Sequence, residues 1–461
     1  MATLTNFAAR DVETVLHPAT NLATHRTSGP LLLERAEGIH VYDAAGKQYI
    51  EGLAGLWCTA LGYGNAELVE AAREQMTKLS FTHLFGGRSH EPAIQLAEKI
   101  KEISPIPTSK VFFTSSGSEA NDTQIKLAWY YNNARGKTKK KKIISRVRAY
   151  HGVTIAAGSL TGLPIFHADF DLPIAGILHT DTPHYYRFGR DGETEEEFAS
   201  RLVGKLEAMI EREGADTIAA FIAEPVMGAG GVIVPPKTYF EKLQALLRHH
   251  DIAFIADEVI CGFGRTGNMW GTQTFGMQPD TISMAKAITS AYMPLGAVTV
   301  PEHVYEAMID ESKKLGVFAH GFTYSGHPVA SAVAVKTLEI YERIDIVGMV
   351  RKVSPVFLSR LKALDAHPLV GETRGVGLIG GIEIVKDKKS RQSFDVRQGV
   401  GAKVSVFAQE EGLICRAIAG DTIALCPPLV ITADQINAMF DSMTRALDRG
   451  LDWARKEGMV G

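Results

Sequence analysis

Chemistry is concentrated in an acidic pair, Asp257-Glu258, and a lysine, Lys286. Each follows a short apolar run, IAFIA (252–256) and TISMA (281–285). Unbroken apolar runs of this length read as strands buried on both faces of a parallel sheet, which deliver the next residue to the sheet's C-terminal edge. A carboxylate and an amine at neighbouring strand ends can hold the two ends of a charged organic cofactor. A buried Asp257 needs a charged or hydrogen-bonding partner, and a protonated pyridine nitrogen is one. Strand alternation turns Glu258 to the opposite face. Lys286 lies among Met284, Ala285, Ala287 and Ile288. A lysine there either snorkels to water or is functional, because desolvation lowers its pKa and favours imine formation and proton transfer. An acidic pair can also cap a helix or bind magnesium. No second carboxylate cluster or histidine set at ligand spacing accompanies it, so no metal is expected.

A second constellation is SSGSEAN (115–121), placed between the strand-like SKVFFT (109–114) and a helix. Ser116 can cap that helix, with Glu119 three positions on closing a capping box. The free amides of the helix N-terminus also suit a phosphate. The run lacks the lysine of a GxxxxGK[ST] loop, and no GxGxxG fingerprint occurs, which disfavours nucleotide hydrolysis and nicotinamide chemistry. Tyr150-His151-Gly152 offers an aromatic face for a planar cofactor or an ordinary core aromatic beside a turn. HGFTYSGH (320–327) places Thr323 where its hydroxyl could donate to phosphate, in this subunit or a neighbouring one. Arg416, alone in the apolar LICRAI (413–418), reads either as a buried ion pair or as a receiver for a substrate carboxylate.

These residues need a scaffold that alternates strands with helices. Strands are expected near 109–114, 142–145, 218–224, 252–257, 281–285 and 296–300. Helices are expected over about 66–78, 91–102, 116–133, 238–249 and 304–312. That alternation argues an α/β class with a mostly parallel, doubly covered sheet. Residues 39–50 read as a hairpin with its turn at Asp43–Lys47; a lone hairpin cannot bury itself and must dock elsewhere. Beyond Pro328 the texture becomes a smaller α/β unit, with helices near 328–341, 350–364, 396–410 and 433–448, and strand-like runs at 370–385, 413–417 and 422–425.

The 461 residues are 45% hydrophobic and 22% charged, enough for a large core. Lys and Arg number 49 against 52 Asp and Glu, a net charge of −3 that argues against nucleic-acid binding. The one basic cluster, KTKKKK (137–142), reads as a solvated turn. Four scattered cysteines without a CxxC pair suggest a reducing cytoplasm rather than disulfides or structural zinc. No stretch reaches bilayer-spanning length, so no membrane association is expected.

Taken together, SSGSEAN (115–121), YHG (150–152), EPVMGAGG (224–231), DEVICGFGRTG (257–267), TISMAK (281–286) and GFTYSGHP (321–328) resemble the class III pyridoxal-phosphate aminotransferases. The likeness runs from about residue 30 to the end. It implies the aspartate-aminotransferase fold, with an N-terminal segment over 1–58 contributing to a small domain, a large cofactor-binding domain over 59–328 and the rest of the small domain over 329–461. It implies a homodimer with interface sites and leaves open whether dimers pair into tetramers.

By the same resemblance Lys286 binds pyridoxal 5'-phosphate (PLP) covalently and shuttles the proton, while Asp257 holds the pyridine nitrogen. Ser116, Gly117 and Ser118 bind the phosphate, with Thr323 of the other subunit. Tyr150, with His151 beside it, stacks on the ring. Glu224 sets the polar network next to the cofactor, and Val259 packs on the other ring face. Within the family the matches lean to the omega-transaminase subgroup, which moves nitrogen from an amine to pyruvate. Trp57 resembles an aromatic at the mouth of the amine pocket, with Tyr150 and Phe85 as further aromatic walls. Arg416 resembles a mobile arginine that receives a keto-acid carboxylate. The donor is expected to be an arylalkyl or aliphatic amine or a polyamine. β-Alanine:pyruvate or 4-aminobutyrate/ornithine-type transfer is the alternative, and racemisation, decarboxylation or aminomutase chemistry on the same cofactor is a further one.

Overall fold

The computed structural model describes residues 6–460. In chain order its strands are β1 (Leu33–Glu37), β2 (His40–Asp43), β3 (Gln48–Glu51), β4 (Lys110–Thr114), β5 (Lys142–Arg146), β6 (Ile177–Thr180), β7 (Ile218–Ala223) and β8 (Ala253–Asp257). There follow β9 (Thr281–Met284), β10 (Gly296–Val300), β11 (Val370–Val376), β12 (Ile379–Ile384), β13 (Leu413–Ile414), β14 (Arg416–Ile418) and β15 (Thr422–Leu425). Seven of them form the central sheet, in the order β4-β10-β9-β8-β7-β5-β6. Neighbours from β9 through β6 pair in parallel, and β10 runs antiparallel to both β4 and β9.

The central parallel strands are almost wholly buried because helices cover the sheet. Every residue of β7 is buried, and all but the first of β8. The helix Gly117–Ala134 lies against strands of this sheet. Helices Ala66–Lys78 and Glu91–Ile103 pack on the Ala-rich helix Pro328–Arg343, whose small side chains allow close approach. Two smaller sheets stand apart, β11-β12-β15-β14 and β1-β2-β3-β13. The expected N-terminal hairpin forms as β2 and β3, and it docks by pairing β3 in parallel with β13, Ile50 opposite Leu413.

Five features differ from the sequence reading. β1 extends the hairpin into a third strand, and β6 and the helix Glu195–Glu213 fill a stretch to which no element had been assigned. The C-terminal helix continues to Lys456. The run 370–385 is two strands turned at Gly377, where φ is +59°. The basic cluster 137–142 is not simply solvated: Arg135, Lys137 and Lys140 converge on the carboxylate of Asp251, and Lys142 pairs with Glu213. All four cysteines are free thiols. Among the described residues no helix is long and apolar enough to cross a membrane.

Candidate active site

Three parallel neighbours end at one edge of the central sheet. Glu224 directly follows β7, Asp257 closes β8 and Lys286 lies two residues beyond β9. Registers of Ala223 with Ala256 and of Asp257 with Ser283 keep these ends level. The edge beyond the C-termini of parallel strands is where open α/β sheets bind ligands. β4 leads to the serine–glycine loop at the same edge, and β5 leads to Tyr150 and His151.

Asp257 is fixed from two sides. Its Oδ2 lies 2.7 Å from His151 Nδ1 and accepts a hydrogen bond from Asn121 Nδ2, also at 2.7 Å. Its Oδ1 accepts only the Val259 amide, at 3.1 Å, which leaves a lone pair for a further donor. Glu224 is buried, and loss of hydration pushes its carboxyl up to about 7 against the opposing pull of His151 and Arg146. Its Oε1 accepts the Tyr150 amide at 3.3 Å and stands 3.8 Å from Arg146, whose Nη2 donates to the Glu224 carbonyl.

Lys286 keeps partial surface exposure, yet protein atoms crowd its amine. That desolvation lowers its pKa, while Asp257, Cys58, Cys426 and Glu224 pull it upward. Its backbone has φ +52°, the left-handed region, a strain of about 1–3 kcal/mol for a non-glycine residue. Such strain is found where a side chain must be aimed at a fixed target.

The phosphate loop departs slightly from its expected cap. Ser116 Oγ accepts the Glu119 amide at 3.2 Å, but the Glu119 carboxylate reaches back to the Ser115 amide at 2.7 Å, one residue earlier than a capping box requires. The Gly117 and Ser118 amides have no acceptor among the described residues. A Cβ on Gly117 would sit 3.0 Å from a Val259 methyl. At Gly152, where φ is +134°, a Cβ would meet Ser118 Oγ at 2.5 Å. These two glycines keep the cradle open and its amides reachable. Among the described residues, buried Glu224 Oε2 and His151 Nε2 also lack partners. Vacant donors at a helix N-terminus, a carboxylate with a lone pair to spare and a desolvated lysine are the donor set that a phosphorylated pyridine aldehyde requires, so the residues present fit PLP.

The substrate residues are less tightly gathered. Trp57 is buried and packs with Leu53, Val226 and Cys426; a Cβ on Gly228 would touch both Ile260 and the Trp57 ring. Tyr150 stands edge-on to Phe166 with centroids 5.5 Å apart. Arg416, in β14, is close enough to act electrostatically on Tyr150, and among the described residues no carboxylate pairs with it. Phe85 lies apart, 48% exposed, with its ring against Gly321. Thr323, two residues further on, is likewise exposed. Sequence reasoning missed Asn121 and Arg146. For Asn121 the signal was available: one turn beyond Gly117 on the same helix, it faces inward with the loop.

Residues 22–447 match the class-III aminotransferase family, and the chain belongs to it. The mitochondrial gamma-aminobutyrate transaminase 1 of Oryza sativa subsp. japonica is 53% identical over 411 residues, 89% of this chain and 80% of the relative. The chloroplastic gamma-aminobutyrate transaminase 3 of Solanum lycopersicum is 50% identical over 91% of this chain and 80% of its own. The omega transaminase of Pseudomonas jessenii, solved in complex with PMP, superposes with a TM-score of 0.96 at 51% identity, covering 97% of this chain and 99% of that one. The protein is therefore a PLP-dependent transaminase that moves an amino group from an amine donor to a keto acceptor. Its fold is the α/β fold of that family.

The cytoplasmic placement expected from the cysteines does not stand, because these relatives are mitochondrial and chloroplastic enzymes. Scattered free thiols separate reducing from oxidising compartments; they do not separate one reducing compartment from another.

Proposed function

We propose that the chain transfers nitrogen from a primary amine, whether arylalkyl, aliphatic or polyamine, to pyruvate, yielding alanine and an aldehyde or ketone in two alternating half-reactions. The observation that carries this reading is Arg416: a half-buried guanidinium in β14 that pairs with no carboxylate among the described residues and lies near enough to Tyr150 to act on it electrostatically, so that it is free to receive an acceptor's carboxylate. Bound PLP supplies an aldehyde that takes up the donor's nitrogen and a ring that accepts its electron pair.

Lys286 would hold PLP, and its Nζ would carry the proton to and from the donor carbon. Its lowered pKa suits it to both removal and return. Asp257, held in place by His151 and Asn121, would keep the pyridine nitrogen protonated. Ser116, Gly117 and Ser118 anchor the phosphate. Val259 and Tyr150 confine the ring. Glu224 lies in the polar network beside it. Trp57, with Ile260 on the neighbouring Gly228 surface, would bound the donor pocket.

The same reading makes the working unit a homodimer. Phe85 and Thr323 are exposed and linked through Gly321, so a neighbouring subunit that brings one brings the other. Residues 59–328 act as the large domain, with 1–58 and 329–461 forming the small one; the β3–β13 pairing supports this division.

A second reading has a specific basis. Relatives at 50–53% identity act on 4-aminobutyrate by name, and Arg416 would pair as readily with a donor's distal carboxylate as with pyruvate's. A panel of 1-phenylethylamine, putrescine, β-alanine, 4-aminobutyrate and ornithine against pyruvate and 2-oxoglutarate separates the two. The first requires fastest turnover with an uncharged or polyamine donor and pyruvate. Fastest turnover with 4-aminobutyrate moves the assignment to the second, and failure of every keto acid removes both.

A further inference from the structure

Away from the catalytic edge, the first two helices hold a convergent set of metal-ligating side chains. The helix Asn6–Thr14 carries Asp11, the helix Leu22–Ser28 carries His25, and His17 lies on the turn between them. The Nε2 atoms of both imidazoles point at one oxygen, Asp11 Oδ1, at 2.8 Å from His17 and 3.1 Å from His25. The two rings lie with centroids 4.1 Å apart, tilted by 40°. The candidate ligand atoms fall within 4.8 Å of one another. A turn at Ala19, with φ +48°, brings the second helix back against the first.

These separations match a coordination sphere. Ligands bound at about 2.1 Å lie about 3.0 Å apart on a cis edge at right angles and about 3.4 Å apart in a tetrahedron. The observed edges of 2.8 and 3.1 Å sit at the first value. Two imidazoles and one carboxylate suit a borderline divalent ion such as zinc, nickel or copper. Magnesium and calcium prefer oxygen throughout. Side-chain exposures of 28% for His17, 19% for Asp11 and 10% for His25 leave an approach for the ion and positions for water. Both imidazoles would bind in the Nδ1–H tautomer, so no proton need leave the site when they are neutral.

We propose that Asp11, His17 and His25 form a site for a borderline divalent cation that clips the two N-terminal helices together. The ion is structural: it closes the chain between Asp11 and His25 and holds the turn against opening. The sequence reading, which weighed histidine spacing only around Asp257, expected no metal.

The test is calorimetric titration of untagged holoenzyme with zinc in a non-coordinating buffer, alongside Asp11→Asn, His17→Gln and His25→Gln. The parent is expected to bind one equivalent per chain with micromolar affinity. Each single variant should lose that equivalent or hold it at least about ten-fold more weakly, since each removes one of three ligands. Zinc held by thiols or by the cofactor's phosphate would persist in all four proteins and is thereby separated. Limited trypsin digestion gives a second readout: zinc should slow cleavage after Arg10 and Arg26 in the parent and not in the variants. Absence of micromolar zinc binding in the parent, or full stoichiometry retained in all three variants, overturns the assignment and leaves two imidazoles merely hydrogen-bonded to a carboxylate.

Discussion

His151 Nδ1 lies 2.7 Å from Asp257 Oδ2, with both side chains no more than 4% exposed. With the Asn121 bond the contact fixes the plane of the carboxylate and leaves the other oxygen with the Val259 amide and a lone pair to spare, as the proposed pairing with the cofactor's ring nitrogen requires. In so dry a setting a carboxylate acts with far greater force on a neighbouring charge than it would in water.

Replacing Asp257 by Asn keeps the shape and removes the charge. The half-reaction with an amine donor, followed by loss of the cofactor's aldehyde absorbance, should slow by about 10²–10³-fold. His151→Ala should slow it less, since the Asn121 and Val259 bonds to Asp257 remain. Equal rates for Asp257→Asn and the parent would remove the proposed role.

Lys286→Ala should abolish covalent cofactor attachment and cut multiple turnover by at least about 10³-fold, with partial rescue by added methylamine. Borohydride should fix the cofactor to the parent and not to the variant, as mass measurement would record.

Gly152 tolerates no side chain, because a Cβ would lie 2.5 Å from Ser118 Oγ on a backbone with φ +134°. Gly152→Ala should weaken PLP binding by about ten-fold or more, the equivalent of about 1.4 kcal/mol, read from reconstitution of the apo-protein. Catalysis by whatever fraction is loaded should fall less than affinity does.

Arg416→Ala should raise the pyruvate KM by about 10- to 100-fold, the value of a charge-assisted pair. KM for an uncharged amine should hardly move. A matched rise for both substrates would mean that Arg416 shapes the pocket rather than receiving the carboxylate.

A mixture of Lys286→Ala and Thr323→Ala subunits tests whether Thr323 acts across an interface. Each homodimer carries its own defect in both sites, whereas the hybrid then holds one intact site and one doubly defective site. Co-expression should restore about half the parental activity per hybrid dimer. No gain over the separate variants would place Thr323 in its own subunit's site.

Burial makes the stability of the apo-protein depend on pH. The carboxyls of Glu51, Glu224 and Glu258 are each raised to about 7, chiefly through loss of hydration. A raised folded-state pKa means that the folded chain binds the proton more tightly. The contribution is therefore fully present below the usual carboxylate value and is lost as pH rises through 7. Glu383 is held down to about 2 by Arg374 and Arg187, against a desolvation that acts the other way. Its contribution is present above the usual value and is lost as pH falls toward 2. Between pH 4.5 and 7 the urea midpoint should fall, and Glu224→Gln should flatten that fall by up to about 3 kcal/mol.

The catalytic edge was legible because buried parallel strands are written as unbroken apolar runs: β7, β8 and β9 each end on the residue that the site needs or within two of it. β6 was not, since Ile177–Thr180 is a four-residue edge strand with neither an unbroken apolar run nor an alternation to mark it. The helix Glu195–Glu213 did carry a signal, with Phe198, Leu202, Leu206 and Ile210 spaced four apart as one buried stripe. Asn121 could have been placed from its turn beyond Gly117, but Arg146 and His151 meet Glu224 and Asp257 through contacts between distant segments, and no local pattern encodes those. Phe85 and Thr323 lie together at the surface around Gly321, away from any local sequence signal. The cysteines spoke of redox potential and carried no address.

The parallel pairing of β3 with β13 has a bearing on how this protein is made. Ile50 leaves the ribosome early and its partner Leu413 arrives near the end of translation. Throughout that interval the nascent hairpin offers a bare β-edge to any passing strand. Chaperone capture during synthesis, and clumping of nascent chains cut short before residue 413, are expected from that one late stitch.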